Sequence, residues 1–209
     1  MAEEKAKDFL EKRAWFSWIF DSKNIEELKN KYDSWANTYD ADLKEDWSFM
    51  PARIAQMLSQ LLPNQNCTIL DAGAGTGLVG EALAQQGYTN LTAVDLSDKM
   101  LAIAKEKQVY KSLHQCNLED SCGFSNSANF DAIIAAGVFT HVHAGKASLN
   151  NLFSLLKEEG FFILTIREDY RDQMKIILEK LPWKLVSKEH FSIYDEVCLM
   201  HLLAFKKER

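Results

Sequence analysis

Thr68-Ile-Leu-Asp-Ala-Gly-Ala-Gly-Thr-Gly77 is the stretch that decides the fold of this 209-residue chain. Ile69 and Leu70 end a short apolar run, which predicts a buried strand. Three glycines at alternate positions then allow a tight backbone turn because they carry no Cβ. Apolar residues at helical spacing follow Gly77, so the stretch predicts a strand, a glycine loop and the start of a helix. The backbone N–H groups of such a loop suit a ligand with negative charge or many acceptors.

Two acidic residues at the ends of predicted strands help to choose the ligand. Gly75–Gly80 formally fits G-x-G-x-x-G, the dinucleotide fingerprint, but Gly75 lies several residues past the apolar run. The Asp71 carboxylate would also face the pyrophosphate of a dinucleotide. Asp95 ends the next apolar segment, where an acid can accept hydrogen bonds from both ribose hydroxyls. These features favour a phosphate-free nucleoside with a positive centre, such as S-adenosylmethionine, over a nicotinamide or flavin dinucleotide. A glycine turn needed only for packing would leave both acids unexplained.

The same residues carry a resemblance to a known family. Asp71–Gly77, followed by Val94-Asp-Leu-Ser97 and Met100-Leu101, resembles the first two motifs of the class I S-adenosylmethionine-dependent methyltransferase superfamily. Tyr32–Asp40 resembles the entry helix of the small-molecule branch, and the nearest likeness is to the Williams–Beuren-region methyltransferase-like proteins. The resemblance implies an α/β fold with a Rossmann-like, doubly wound, seven-stranded sheet that is mostly parallel, with an antiparallel last strand and helices on both faces. It divides the chain into a helical extension and cofactor lid over residues 1–40 and a methyltransferase domain over residues 41–209.

The resemblance also implies contacts to S-adenosylmethionine, which becomes S-adenosylhomocysteine after transfer. An aromatic face can attract the sulfonium by a cation–π interaction. Asn117 stands where the family usually has an acid that binds the adenine amine, and its amide oxygen can accept the same bond without charge, although Glu119 and Asp120 compete for the role. The cofactor-binding residues implied are Tyr32, Tyr39, Asp71, Ala72, Gly73, Ala74, Gly75, Gly77, Asp95, Leu96, Met100, Asn117, Leu118, Ala135, Ala136 and Gly137.

Methyl transfer from a sulfonium needs no protein nucleophile, because alignment and exclusion of water can supply much of the acceleration. The catalytic candidates are His141, as a base or substrate contact, and Arg167, as an anchor for an acidic substrate. Their alternatives are a loop histidine and a solvated salt bridge. His141 and His143 have no third ligand at suitable spacing, so no metal is predicted.

The strand end at 135–141 lacks the Asn/Asp-Pro-Pro-Tyr/Phe motif of amino methyltransferases that act on DNA bases or glutamine. A small-molecule acceptor is therefore the leading prediction. The alternatives are a non-catalytic protein that binds the cofactor or a partner on the same scaffold, and a nicotinamide dehydrogenase.

Composition limits the partners. A net charge of −6 argues against broad nucleic-acid binding, and the longest apolar run, Ala132–Phe139, is far too short to span a membrane. The four cysteines lack metal-ligand spacing and are expected to be reduced thiols of a cytoplasmic protein. We expect a monomer or homodimer. The aromatic segment Trp15–Phe20 either packs back on the domain or forms a dimer or membrane-surface contact.

Overall fold

A computed structural model describes residues 14–120, 122–124, 129–140, 144–193 and 198–209. Within the described residues, five helices come first: α1 (Ala14–Phe20), α2 (Ile25–Trp35), α3 (Tyr39–Asp42), α4 (Lys44–Trp47) and α5 (Met50–Leu61). Strands and helices then alternate: β1 (Ile69–Ala72), α6 (Leu78–Gln85), β2 (Leu91–Asp95), α7 (Asp98–Glu106), β3 (Ser112–Gln115), β4 (Phe130–Phe139), α8 (Lys146–Leu155), β5 (Leu156–Arg167), α9 (Glu168–Lys180), β6 (Trp183–Ile193) and β7 (Cys198–Lys207). Among the described residues, no helix is long and apolar enough to cross a membrane.

The seven strands form one sheet in the order β3-β2-β1-β4-β5-β7-β6. Strands β1 to β5 pair in parallel. Only β7 runs the other way, between β5 and β6. This arrangement confirms the predicted mostly parallel sheet with an antiparallel last strand.

Helices cover both faces of the sheet, as predicted. Successive residues of β1 alternate between two apolar clusters because side chains of a strand point to opposite faces. Ile69 packs with Ile54 of α5 and Leu83 of α6, whereas Leu70 packs with Leu149 of α8 and Met174 of α9.

The strand order reverses between β1 and β4, which is where open α/β sheets bind ligands. Ala72, the last residue of β1, pairs with Val94, so the loop after β1 lies beside Asp95 at the end of β2. The sheet therefore brings the glycine loop and the second acidic residue to one edge.

The N-terminal helices form a separate aromatic cluster beside this edge. The Tyr32–Asp40 segment, expected to be one entry helix, spans the end of α2 and the start of α3, and Asn24 caps α2 by accepting a bond from the N–H of Glu27. Helix α1 packs onto α2, with Trp15 stacked on Trp35 at 4.7 Å between ring centroids. Ile19 is buried in the same cluster.

The expectation of reduced thiols is wrong for Cys116 and Cys122, which form a disulfide with their Cα atoms 5.2 Å apart. The chain reverses between them, since the N–H of Asp120 bonds the carbonyl of Asn117 at 2.8 Å. Spacing along the sequence does not reveal that reversal. Cys67 is a buried free thiol, as expected.

Candidate functional site

The glycine loop after β1 is held in place by Asp95. Gly73 and Gly75 have φ angles of +77° and +54°, which favour glycine. The Asp95 carboxylate accepts the N–H of Gly75 at 2.7 Å and the N–H of Ser97 at 2.8 Å. Burial raises the pKa of Asp95, and these backbone bonds oppose the rise. Asp95 therefore both orders the loop and places a carboxylate at the edge of the sheet.

A pocket, here called the cofactor pocket, lies between this edge and α2. Asp95 is the only charged residue among the described residues that line it. Eleven of the sixteen predicted cofactor-binding residues line it: Tyr32, Tyr39, Gly73, Gly75, Asp95, Leu96, Met100, Asn117, Leu118, Ala136 and Gly137. Sequence reasoning missed five other lining residues. Four are apolar and one is a cysteine, so none carries a sequence signal for binding: Ile25, Leu28, Cys116, Val138 and Ala144.

The other five predicted residues lie behind the pocket lining: Asp71, Ala72, Ala74, Gly77 and Ala135. Ala72 and Ala135 are fully buried in the sheet, and Ala74 packs on α7 through Leu101. A Cβ at Gly77 would approach Ala104, which explains the glycine by packing.

The expectation that the Asp71 carboxylate faces the ligand is wrong. The pleat of β1 directs it to the same face as Ile69, and it is 1% exposed. The Tyr110 hydroxyl donates to Asp71 Oδ2 at 2.6 Å, while Oδ1 has no hydrogen-bond partner among the described residues. Burial raises the pKa of Asp71 to about 7, opposed by the Tyr110 bond and reinforced by the charge of Asp95. The Asp71 carboxylate is thus not among the groups that line the cofactor pocket.

The loop after β3 is held by a residue that sequence reasoning did not select. Asn151 of α8 donates from Nδ2 to the carbonyls of Leu118, Glu119 and Asp120 at 2.9–3.2 Å. The Asn117 side-chain oxygen already accepts the N–H of Glu119 at 3.1 Å. An adenine amine would therefore have to share that oxygen, which has two lone pairs.

Helices α2 and α3 are latched to the loops that form the cofactor pocket. Ser97, after β2, donates to Asp33 Oδ1 at 2.5 Å, and Thr76, after β1, donates to Asp40 Oδ1 at 2.5 Å. Lys29 reinforces the first latch by pairing with Asp33 at 2.6 Å. These bonds hold Tyr32 over the pocket.

A second pocket, here called the aromatic pocket, adjoins the first. The two pockets share Tyr32, Tyr39 and Gly137. Gly137 is fixed at φ +71° by a 2.7 Å bond from its N–H to Thr165 Oγ1. Burial, and then the charges of Asp95 and Asp40, raise the pKa of Tyr39, so its phenol stays protonated at neutral pH. Six aromatic side chains line the second pocket: Trp15, Phe20, Tyr32, Trp35, Tyr39 and Trp47.

The two catalytic candidates differ in what the structure describes. His141 lies outside the described residues. Arg167 lines the aromatic pocket, where it bonds Asp169 from Nε at 3.0 Å and from a terminal nitrogen at 2.6 Å. Its guanidinium also lies over the Phe20 ring, 5.3 Å from the centroid. Within the described parts of the chain, no cluster of three or more His, Cys, Asp or Glu residues could hold a metal ion.

The cofactor pocket fits a cationic nucleoside better than a dinucleotide. Its only charge is the Asp95 carboxylate, and neither Lys nor Arg is among the described lining residues, so a pyrophosphate would have no positive side chain to pair with. A Cβ built at Gly75 would meet nothing within 4 Å, so the loop leaves a cradle that only glycine keeps open. Fold and site together define an α/β protein that binds a nucleoside cofactor at the switch point of its sheet.

Comparisons with known proteins agree with this class. Residues 70–164 match the methyltransferase domain family. The chain is 29% identical to human methyltransferase-like protein 27 over 190 residues, which cover 87% of this chain and 76% of that protein. It is 31% identical to EEF1A lysine methyltransferase 2 of Danio rerio over 113 residues, or 49% of this chain and 48% of that protein.

The fold matches that of Burkholderia thailandensis 1,6-didemethyltoxoflavin-N1-methyltransferase, solved with its substrate and S-adenosylhomocysteine. The TM-score is 0.68 at 18% identity, covering 87% of this chain and 88% of that one. These matches support a place for the chain in the class I S-adenosylmethionine-dependent methyltransferase superfamily, with S-adenosylmethionine as its cofactor.

Proposed function

We propose that this protein transfers the methyl group of S-adenosylmethionine to a small molecule held in the aromatic pocket. The observation that carries the proposal is the wall that the two pockets share, formed by Tyr32, Tyr39 and Gly137. Two adjoining pockets can hold a donor and an acceptor side by side, which is what a group transfer between them requires.

The roles of the lining residues follow from their contacts. Asp95, at the tip of β2, is suited to accept the ribose hydroxyls, and the Gly73–Gly75 loop is suited to receive the methionine part. When bound, the cofactor would supply a methyl group carried on a positively charged sulfur. The acceptor's lone pair would bond the methyl carbon while the electron pair of the carbon–sulfur bond goes to sulfur. Tyr32 and Tyr39 cover the junction and exclude water from it. No step requires a covalent bond to the protein.

The aromatic pocket favours a small molecule over a protein lysine. A relative carries the name lysine methyltransferase, so protein substrates are a real alternative. A lysine is an ammonium at neutral pH, however, and the only charge among the described lining residues is that of Arg167. Like charges within a partly buried pocket repel.

The test is transfer of labelled methyl from S-adenosylmethionine to cell extract, followed by separation by size. We expect label among molecules below about 1 kDa with the wild-type chain and none above background with Asp95→Ala. Label recovered only on protein would refute the small-molecule acceptor. Failure to label anything while S-adenosylhomocysteine still binds would favour the non-catalytic alternative.

A further inference from the structure

The chemistry of the aromatic pocket narrows the acceptor further, an inference that rests on the proposed function. Six of its twelve lining residues are aromatic, and the others include Ile19, Leu43 and Met200, which are 1–6% exposed. The indole N–H of Trp35 donates to Asp42 Oδ2 at 2.6 Å, outside the lining. The pocket therefore offers aromatic and apolar side chains, which suit a flat apolar ring.

The charged residues that line the two pockets are of opposite sign, and Arg167 is also paired with Asp169. Asp95 is the one charged residue among the described residues that line the cofactor pocket, and Arg167 is the one charged residue among those that line the aromatic pocket. A cationic cofactor is complementary to the first pocket, whereas an anionic acceptor is complementary to the second.

Arg167 is oriented for such a role. Its guanidinium is held at one edge by the two bonds to Asp169 and across its face by Phe20, so little side-chain entropy is left to lose on binding. Its side chain is 17% exposed, whereas that of Asp169 is 49% exposed and lies outside the pocket lining. The partial burial strengthens attraction between the guanidinium and an anion in the pocket.

We propose that the acceptor is a flat aromatic acid, whose ring lies among Trp15, Trp35 and Trp47 and whose anionic oxygen faces Arg167. An aliphatic acid would lose the ring contacts, and an arylmethylamine, which is protonated at neutral pH, would place its positive charge beside the guanidinium. The atom that receives the methyl group depends on which acid of this class is bound.

The experiment titrates the full chain, with and without saturating S-adenosylhomocysteine, by calorimetry with four probes. They are 2-naphthoate (flat, anionic), 2-naphthylmethylamine (flat, cationic), 2-naphthalenemethanol (flat, neutral) and cyclohexanecarboxylate (not flat, anionic). We expect 2-naphthoate to bind about 10-fold to 100-fold more tightly than the amine, as a charge-assisted pair predicts. It should also bind more tightly than the other two probes.

Arg167→Met tests the assignment of the charge, with Arg171→Met as the matched control. Arg171 lies on α9 close to Arg167 in sequence and pairs with Glu168, but it does not line the aromatic pocket. Arg167→Met should lose the 10-fold or greater preference for 2-naphthoate while its affinities for 2-naphthalenemethanol and S-adenosylhomocysteine change less than 2-fold. Arg171→Met should retain the preference.

Equal affinity for the amine and the carboxylate, or an unchanged preference in Arg167→Met, would overturn the inference whether or not the cofactor product binds. Absence of S-adenosylhomocysteine binding would instead refute the proposed function. In that case, an Arg167-dependent preference measured without the product would still support the acceptor class.

Discussion

Asp71→Asn should change how the stability of the protein depends on pH. Burial raises the pKa of Asp71 from its ordinary 3.8 to about 7 in the folded protein. Between these values the folded state holds a proton that the unfolded state has lost, so the free energy of unfolding falls as pH rises. A difference of about 3 in pKa corresponds to roughly 4 kcal/mol, at 1.36 kcal/mol for each unit. The stabilisation is complete below about pH 4 and lost above about pH 7.

The assay is denaturant unfolding of the wild type and Asp71→Asn at pH 4 to 8. Asparagine does not titrate and can still accept the Tyr110 bond, so the variant should gain stability over the wild type as pH rises, by up to about 4 kcal/mol. Asp98→Asn is the control, because the bond from Lys29 lowers the pKa of Asp98 below its ordinary 3.8, so its difference from the wild type should stay nearly constant from pH 4 to 8. A difference between wild type and Asp71→Asn that stays constant from pH 4 to 8 would refute the reasoning.

Three other substitutions separate folding from binding. Gly73→Ala should cost about 3 kcal/mol of stability in a thermal melt, because its Cβ would lie 2.3 Å from Val138 Cγ2 at a positive φ. Gly75→Ala should lower stability by only about 1 kcal/mol, since its Cβ meets open space. It should weaken S-adenosylhomocysteine binding at least 10-fold, about 1.4 kcal/mol, because the added methyl group occupies the space that the glycine loop leaves for the ligand. Equal effects of the two on stability would contradict this distinction. Asp40→Ala should remove the bond from Thr76 and speed product dissociation in stopped-flow by roughly 5-fold, about 1 kcal/mol; an unchanged rate would show that the latch contributes nothing.

The start of the domain could be predicted from the sequence because its signals are local. The apolar run before Asp71 and the glycines after it predicted a strand, a loop and a helix, whereas the seven-stranded sheet with its antiparallel last strand was implied by the resemblance to the methyltransferase superfamily. The glycines and Asp95 also located most of the cofactor pocket, because the ends of parallel strands meet at one edge.

What the sequence did not predict depends on contacts between distant residues. The direction of Asp71 is set by the pleat and by Tyr110, 39 positions later in the chain. The hold of Asn151 on the loop after β3, and the disulfide between Cys116 and Cys122, depend on chain reversals that leave no periodic pattern. Arg167 was identified as a possible anchor, but its place among aromatic residues from α1 and α2 emerges only when these helices pack on the sheet.

The most direct test of the account is calorimetric titration of S-adenosylhomocysteine into the wild type and Asp95→Ala. Asp95 is expected to hold both the ribose and the glycine loop, so its loss should weaken binding by about 100-fold, or roughly 3 kcal/mol. The control is Asp98→Ala, a change of an exposed neighbour, which should bind like the wild type. We expect saturable binding at one site that depends on Asp95. Equal affinities of wild type and Asp95→Ala, or no binding to the wild type, would contradict it.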